Sequence, residues 1–462
     1  MLCKWEKRRG VENMTKDMTQ GSPMKLILGF CIPLLLGNLF QQFYSMVDTI
    51  IVGRYLGVNA LAAVGSTGSI NFFIIGFCMG VCSGFSIPVS QKFGAGDFSG
   101  LRRFVANSVW LSIGFAVVMT AITVAACRGI LVLMRTPGDI IDQAYSYIVI
   151  IFLGIPVTYL YNLLSGIIRA MGDSRTPVIF LVLAAVLNII LDLTFVIGIG
   201  MGVAGAAWAT VISQCVSGLL CLLYMTRKFE ILKMTREEWR ADKHLMIALC
   251  NMGVPMGLQY SITAIGSVIL QSAVNSLGSV AVASVTAAAK VSMFMMCPFD
   301  AMGSTMATYG GQNVGAGKLE RLGRGLKSCT IIGLIYSVLA LVLVLTAGRF
   351  LIMLFVDGAE TEILNNAAYF LTVNVCFYFL LALVNIVRFM IQGMGFPRFA
   401  VLAGVFEMVA RSFAGFVLVP VFGFKAACFG NPFAWIMADL FLIPAYFHVT
   451  RQLKQMLAAK EA

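Results

Sequence analysis

Gly37, Gln41, Tyr44 and Asp48 are spaced four, three and four residues apart, which lays them along one stripe of a helix. Asn188 and Asp192, four apart, share a face in the same way. Asp192 closes a run that reaches back to Pro177 and is made almost wholly of Val, Ile, Leu, Phe and Ala. A carboxyl that water solvates poorly holds a proton more readily, and a second carboxyl beside it adds to that. Such a group can take up a proton on one side of a barrier and release it on the other. With Asn188 and Thr210 adding neutral oxygens, the same cluster would instead suit Na⁺, a hard cation bound through oxygen.

The elements that carry these residues are membrane spans. Of 462 residues, 59% are hydrophobic and 12% charged, and the mean hydropathy is +0.90. A span needs roughly 20 mostly apolar residues. Such runs are expected near 26–53, 59–91, 104–126, 140–168, 177–198, 203–226, 246–275, 281–309, 326–347, 364–393, 398–420 and 426–449. The chain is therefore read as an all-α polytopic membrane protein of twelve helices. Asp192 lies about 15 residues, or ~22 Å, along its span, and Asp48 farther along its own, so both belong to the outer half of the membrane.

The net charge of +12 reflects topology rather than a nucleic-acid surface. With the N-terminus inside, 25 of the 33 Lys and Arg fall on the cytoplasmic side. Arg54, Arg128, Arg135, Arg349 and Lys425 lie outside, and Lys290, Arg388 and Arg411 within spans. This bias predicts a multi-pass protein of the inner (plasma) membrane with both termini cytoplasmic. The basic, polar start carries no cleavable secretory signal, so the first span is expected to act as its own anchor. The 12 cysteines, scattered in apolar runs, read as small buried hydrophobes.

The chain also repeats itself at an offset of 221 to 223 residues. VSQKFGAGDFSGLRR from Val89 answers to GGQNVGAGKLERLGR from Gly310, and Pro33 to Pro255. Gly57 answers to Gly278 and Gly172 to Gly395. Four matches in one order predict two six-helix lobes, 26–226 and 246–449, related by a pseudo-two-fold along the membrane normal, with a site between them. A cytoplasmic segment 1–25, a solvated linker 227–245 and a tail 450–462 complete the division. The GAGD and GAGK stretches read as tight turns; no Lys-Ser/Thr follows them to make a phosphate loop.

These features together (Pro33, Gln41, Asp48, Gly53, the two GAG turns, Asn188-x-x-x-Asp192 and GVAGAAWAT) resemble the multidrug and toxic compound extrusion family over nearly the whole chain. Within it the chain looks more like the bacterial DinF-like and related branch, because residues 246–275 lack the acid of the NorM branch. The resemblance implies a cation site in the N-terminal half at Asp48, Asn188, Asp192 and Thr210. It also implies that Gln41 and Tyr44 line the drug cavity. Phe43 and Met46, and Phe73 as well, flank the polar stripe and join that cavity as candidates.

The second half differs. Asp48 falls opposite Ile269 or Leu270, so cation chemistry is expected to be asymmetric. Lys290, Asp300, Arg388, Glu407 and Arg411, with Asp439, read either as a structural ion-pair network or as part of substrate handling. No ATPase motif is present, which leaves an ion gradient as the driving force. The chain is thus read as a secondary antiporter, not an enzyme. It would export organic, cationic and amphipathic small molecules for H⁺ or Na⁺. It would need no cofactor and no metal beyond that Na⁺, bind no nucleic acid, and work as a monomer in the bilayer. A lipid-linked oligosaccharide flippase is the alternative within transport. A membrane-embedded enzyme is the alternative outside it, but two histidines in no constellation offer little to build one.

Overall fold

The computed structural model describes residues 17–134, 136–356 and 360–461. Most of the basic N-terminal segment, with Lys4, Lys7, Arg8, Arg9 and Lys16, and also Arg135, lie outside the described residues. Within them, every regular element is helical. In chain order the α-helices are α1 (Pro23–Ile51), α2 (Val58–Ser66), α3 (Gly68–Gly94), α4 (Phe98–Leu133), α5 (Ile141–Leu153) and α6 (Ile155–Ala170). There follow α7 (Arg175–Asp192), α8 (Val203–Lys228), α9 (Lys243–Asn275), α10 (Ser279–Gly315) and α11 (Glu320–Met353). The last are α12 (Thr361–Cys376), α13 (Tyr378–Gly393), α14 (Pro397–Phe413), α15 (Val419–Phe422) and α16 (Phe424–Glu461).

Among the described residues, ten stretches are long and apolar enough to cross a bilayer alone. Two more spans are bent pairs, α5 with α6 at 45° and α12 with α13 at 49°. The total is the expected twelve. The helices outrun their apolar cores: α4 begins at Phe98, capped by Asp97, whose carboxylate accepts from the Gly100 N–H at 2.9 Å. A side-chain acceptor there satisfies one of the helix's open donors.

The sequence repeat is written into the backbone. After α3, Gly96 takes φ +70°, with the Asp97 N–H on Lys92 O (3.1 Å) and the Gly96 N–H on Phe93 O (3.1 Å). After α10, Gly317 takes the same φ, with Lys318 N–H on Asn313 O (2.9 Å) and Gly317 N–H on Val314 O (3.0 Å). This left-handed cap favours glycine, which explains both GAG turns. A π-helical turn falls in the C-terminal part of each fifth span of the repeat, at Leu193–Gly198 and at Ala414–Leu418.

The chain forms two compact units. One takes in Ile32–Gly257, and the other Thr19–Cys31 with Leu258 onward. The boundaries fall inside α1 and α9, close to Pro33 and Pro255. The start of α9 therefore belongs to the first unit, where it meets α3 at its glycines. A Cβ on Gly84 would stand 2.5 Å from Gly253 Cα, and one on Gly80 2.5 Å from Met256 O. Glycines four apart on both helices let two backbones touch, the small-residue packing used inside membranes.

The linker is not the solvated connector that its charge suggests. Phe229, Leu232 and Glu238 are buried. Arg102 NH2 holds Glu238 Oε1 at 2.7 Å, Asn107 Oδ1 accepts from the Asp242 N–H at 2.8 Å, and Trp110 Nε1 donates to the Trp239 carbonyl at 3.0 Å. Mixed charge concealed a docked segment because its partners are on α4, more than a hundred residues upstream.

Candidate functional site

The first unit gathers the N-terminal acids. Asp48 lies on the last turns of α1 and Asp192 is the final residue of α7. Each is followed by a π-helical turn, Val52–Leu56 and Leu193–Gly198, and the two turns pack on each other. That contact sets the carboxyls of Asp48 and Asp192 within hydrogen-bond reach of one another. Asp192 is fully buried and Asn188 is 1% exposed. In the amide orientation that satisfies both ends, Asn188 donates to Asp192 Oδ2 (3.2 Å) and accepts from the Thr210 N–H (3.3 Å). Thr210 thus meets the cluster through its main chain, while its hydroxyl donates to Ala206 O at 3.1 Å.

One oxygen of each carboxyl, Oδ1 of Asp48 and Oδ1 of Asp192, is buried with no hydrogen-bond partner. Two bare ionised carboxylates at this separation repel strongly where little water screens them. A proton or a small cation between them removes the conflict. The arrangement can therefore hold and release one positive charge.

Tyr44, half-buried on α1, lies within electrostatic range of both acids. So does Tyr147 on α5, which is 8% exposed and which sequence reasoning missed. Tyr147 follows the polar stretch Asp142 to Ser146 at the start of its span, and nothing in that stretch ties it to Asp48 or Asp192 on other helices. Gln41 and Phe43 are exposed and Met46 is half-buried, all on α1.

The second unit holds a different cluster. Glu407 on α14 accepts from Arg388 of α13 through Oε1 and from Arg411 NH1 through Oε2 at 3.4 Å. Arg411 Nε reaches Asn431 Oδ1 at 3.3 Å, and Asn431 donates to Asn374 Oδ1 at 3.3 Å. Asp439 on α16 is buried within electrostatic range of Arg388. Lys290 and Asp300 do not join the network that sequence placed them in. Both are exposed on α10, where Lys290 lines a cavity of about 670 Å³ with Thr286 and Asn275. Helical spacing grouped Glu407 with Arg411, whereas nothing local showed that Lys290 and Asp300 take exposed positions on a helix that packs closely against α13.

Twelve helical spans among the described residues, in a fold without strands there, are the architecture of a membrane transporter. The MatE family model matches residues 33–194 and 255–418, and the chain belongs to that family. Its members are transporters, not enzymes. The probable multidrug resistance protein YpnP of Bacillus subtilis (strain 168) is 30% identical over 348 residues, 74% of this chain and 77% of YpnP. The multidrug export protein MepA of Staphylococcus saprophyticus is 23% identical over 89% of both chains. Among solved structures, the outward-facing conformation of a multidrug resistance MATE family transporter of the MOP superfamily superposes with a TM-score of 0.89. It covers 96% of this chain and 99% of that one at 23% identity. The fold is shared.

Proposed function

We propose that the protein is a secondary antiporter exporting organic, amphipathic and cationic compounds in exchange for inward H⁺ or Na⁺. The observation that carries this reading is the Asp48–Asp192 carboxyl pair, buried in the first unit with Asn188 as its hydrogen-bonding neighbour. An ionisable group inside a span is costly and is kept where it moves charge or substrate. Multidrug export by the relatives named above supports the substrate class. Gln41, Phe43, Tyr44 and Met46 contact the drug, and Thr210 completes the cation site. The lobes 26–226 and 246–449 act as the two moving halves. The protein works as a monomer in the plasma membrane, with both termini in the cytoplasm, as the charge bias supports.

The test is transport by the reconstituted full-length protein. A fluorescent organic cation is followed in vesicles under an imposed proton gradient, then under an imposed Na⁺ gradient. Movement driven by one gradient and lost in Asp48→Asn at equal expression is the expected result. Equal movement with neither gradient, or full activity in Asp48→Asn, contradicts the reading.

A further inference from the structure

A cavity of about 580 Å³ lies in the first unit, away from the acids, between α4, α6, α8 and the docked linker. That volume is within the range of small-ligand sites. Its walls are hydrocarbon, among them Ala116, Leu160, Leu163, Leu164 and Met225. Three hydroxyl-bearing side chains interrupt them, of which Thr226 is satisfied by the Leu222 and Leu223 carbonyls of its own helix. Ser112, 5% exposed, has no hydrogen-bond partner for its Oγ, and Tyr159, 2% exposed, has only the Cys78 thiol beside its hydroxyl. Buried donors left open are costly, and an apolar cavity is a poor place for water to satisfy them.

We propose that this cavity is a binding site for one anionic phospholipid from the leaflet next to the linker. Ile113 and Val117 line it while 51% and 62% exposed on a membrane-spanning helix, so it opens sideways into the bilayer. Trp110 and Trp239, joined at 3.0 Å beside the mouth, are of the type that gathers at the headgroup level.

Charge decides the headgroup. Arg102 and Arg103 occupy Glu238 and Asp242. The linker keeps Arg227, Lys228, Lys233, Arg236, Arg240 and Lys243 against Glu230 and Glu237 alone. Lys233 lines the cavity, and its pair with Glu230 is 3.6 Å long with side chains 72% and 77% exposed, which a phosphate displaces readily. The lipid phosphate meets Lys233, its ester carbonyls accept from Ser112 and Tyr159, and an acyl chain fills the space beside Ala116 and Leu164.

The test uses the purified full-length protein, delipidated in detergent and titrated with phosphatidylglycerol or phosphatidylcholine under native mass spectrometry. One tightly held phosphatidylglycerol is expected, with binding weakened about tenfold or more in Ala116→Phe, which fills the cavity. Ser112→Ala, a milder change, is expected to shrink the rise in thermal midpoint that phosphatidylglycerol gives the wild type. Lys233→Gln should erase the preference over phosphatidylcholine. Equal binding of both lipids by the wild type, or undiminished binding by folded Ala116→Phe together with an unchanged lipid response in Ser112→Ala, overturns the proposal. So does displacement of the lipid by a soluble organic cation, which would make the cavity a drug site. Transport plays no part in these readouts, so they stand or fall apart from the antiport reading.

Discussion

Arg102 grips Glu238 by both carboxylate oxygens, NH2 to Oε1 at 2.7 Å and Nε to Oε2 at 2.8 Å, across 136 residues of chain. Two parallel charged hydrogen bonds fix orientation as well as distance. They hold the Glu238 carboxyl down at about 2 from its ordinary 4.5, with help from the Thr235 N–H and the Ser99 hydroxyl. Because the docked form has the lower value, its contribution is complete above about pH 4.5 and fades as pH falls towards 2. Hydrogen exchange across residues 229–242 should therefore be slow from pH 7 to 5. It should quicken, relative to the intrinsic rate, only below that range. Glu238→Gln should exchange fast at every pH, and an unchanged profile in that variant would mean the carboxylate does not hold the linker.

Much of this molecule could be read from its sequence because its physics is local. Twelve apolar runs, a doubled GAG turn, and acids spaced to share a helix face are properties of neighbours in the chain. Asn188 and Asp192 could be paired on paper for that reason. Their meeting with Asp48 needed two π-helical turns to pack together, and no residue pattern announces a π-turn. Tyr147 and the Arg102–Glu238 clasp are long-range contacts. The break between α12 and α13 falls at Phe377, a residue that breaks no helix by itself. Charge alone groups Lys290 and Asp300 with Arg388, and charge does not say which way a helix faces.

Gly84 is a packing requirement rather than a turn. Its missing Cβ leaves room for the backbone of α9, and the obstructing atoms are main chain that cannot rotate aside. Gly84→Ala should cost about 1–3 kcal/mol as overpacking. Gly65→Ala, on a helix with nothing within 4 Å of the new methyl, should cost nothing. Thermal unfolding of the two variants in the same detergent checks the contrast. Equal midpoints would show that α3 and α9 yield at little cost.

Glu407 stands between Arg388 and Arg411, and all three are less than a tenth exposed. Glu407→Gln keeps the shape but leaves two guanidinium charges without their shared anion. The loss should be about 3–5 kcal/mol, as for other buried pairs broken on one side. Adding Arg388→Gln should recover part of it, since the second change removes one of the stranded charges. Thermal midpoints of the single and double variants decide. Additive losses would mean that packing, not charge, holds the cluster together.

Asp192 and Tyr147 should separate ion coupling from drug binding. Asp192 has Asp48 on one side and Asn188 on the other, whereas Gln41 and Phe43 lie exposed on α1. Asp192→Asn removes one carboxyl of the pair, which on the proposed antiport reading impairs the exchange of a positive charge there. Gradient-driven efflux should fall by about tenfold or more while equilibrium drug affinity changes less than about threefold. Tyr147→Phe deletes a hydroxyl near the pair and keeps the buried ring, so its effect should be a few-fold slowing with affinity intact. Both quantities are read on one purified preparation, with ion release measured on drug addition. Ion release from Asp192→Asn equal to wild type would assign the coupling elsewhere. Lost affinity with intact release would instead make these acids part of the drug site.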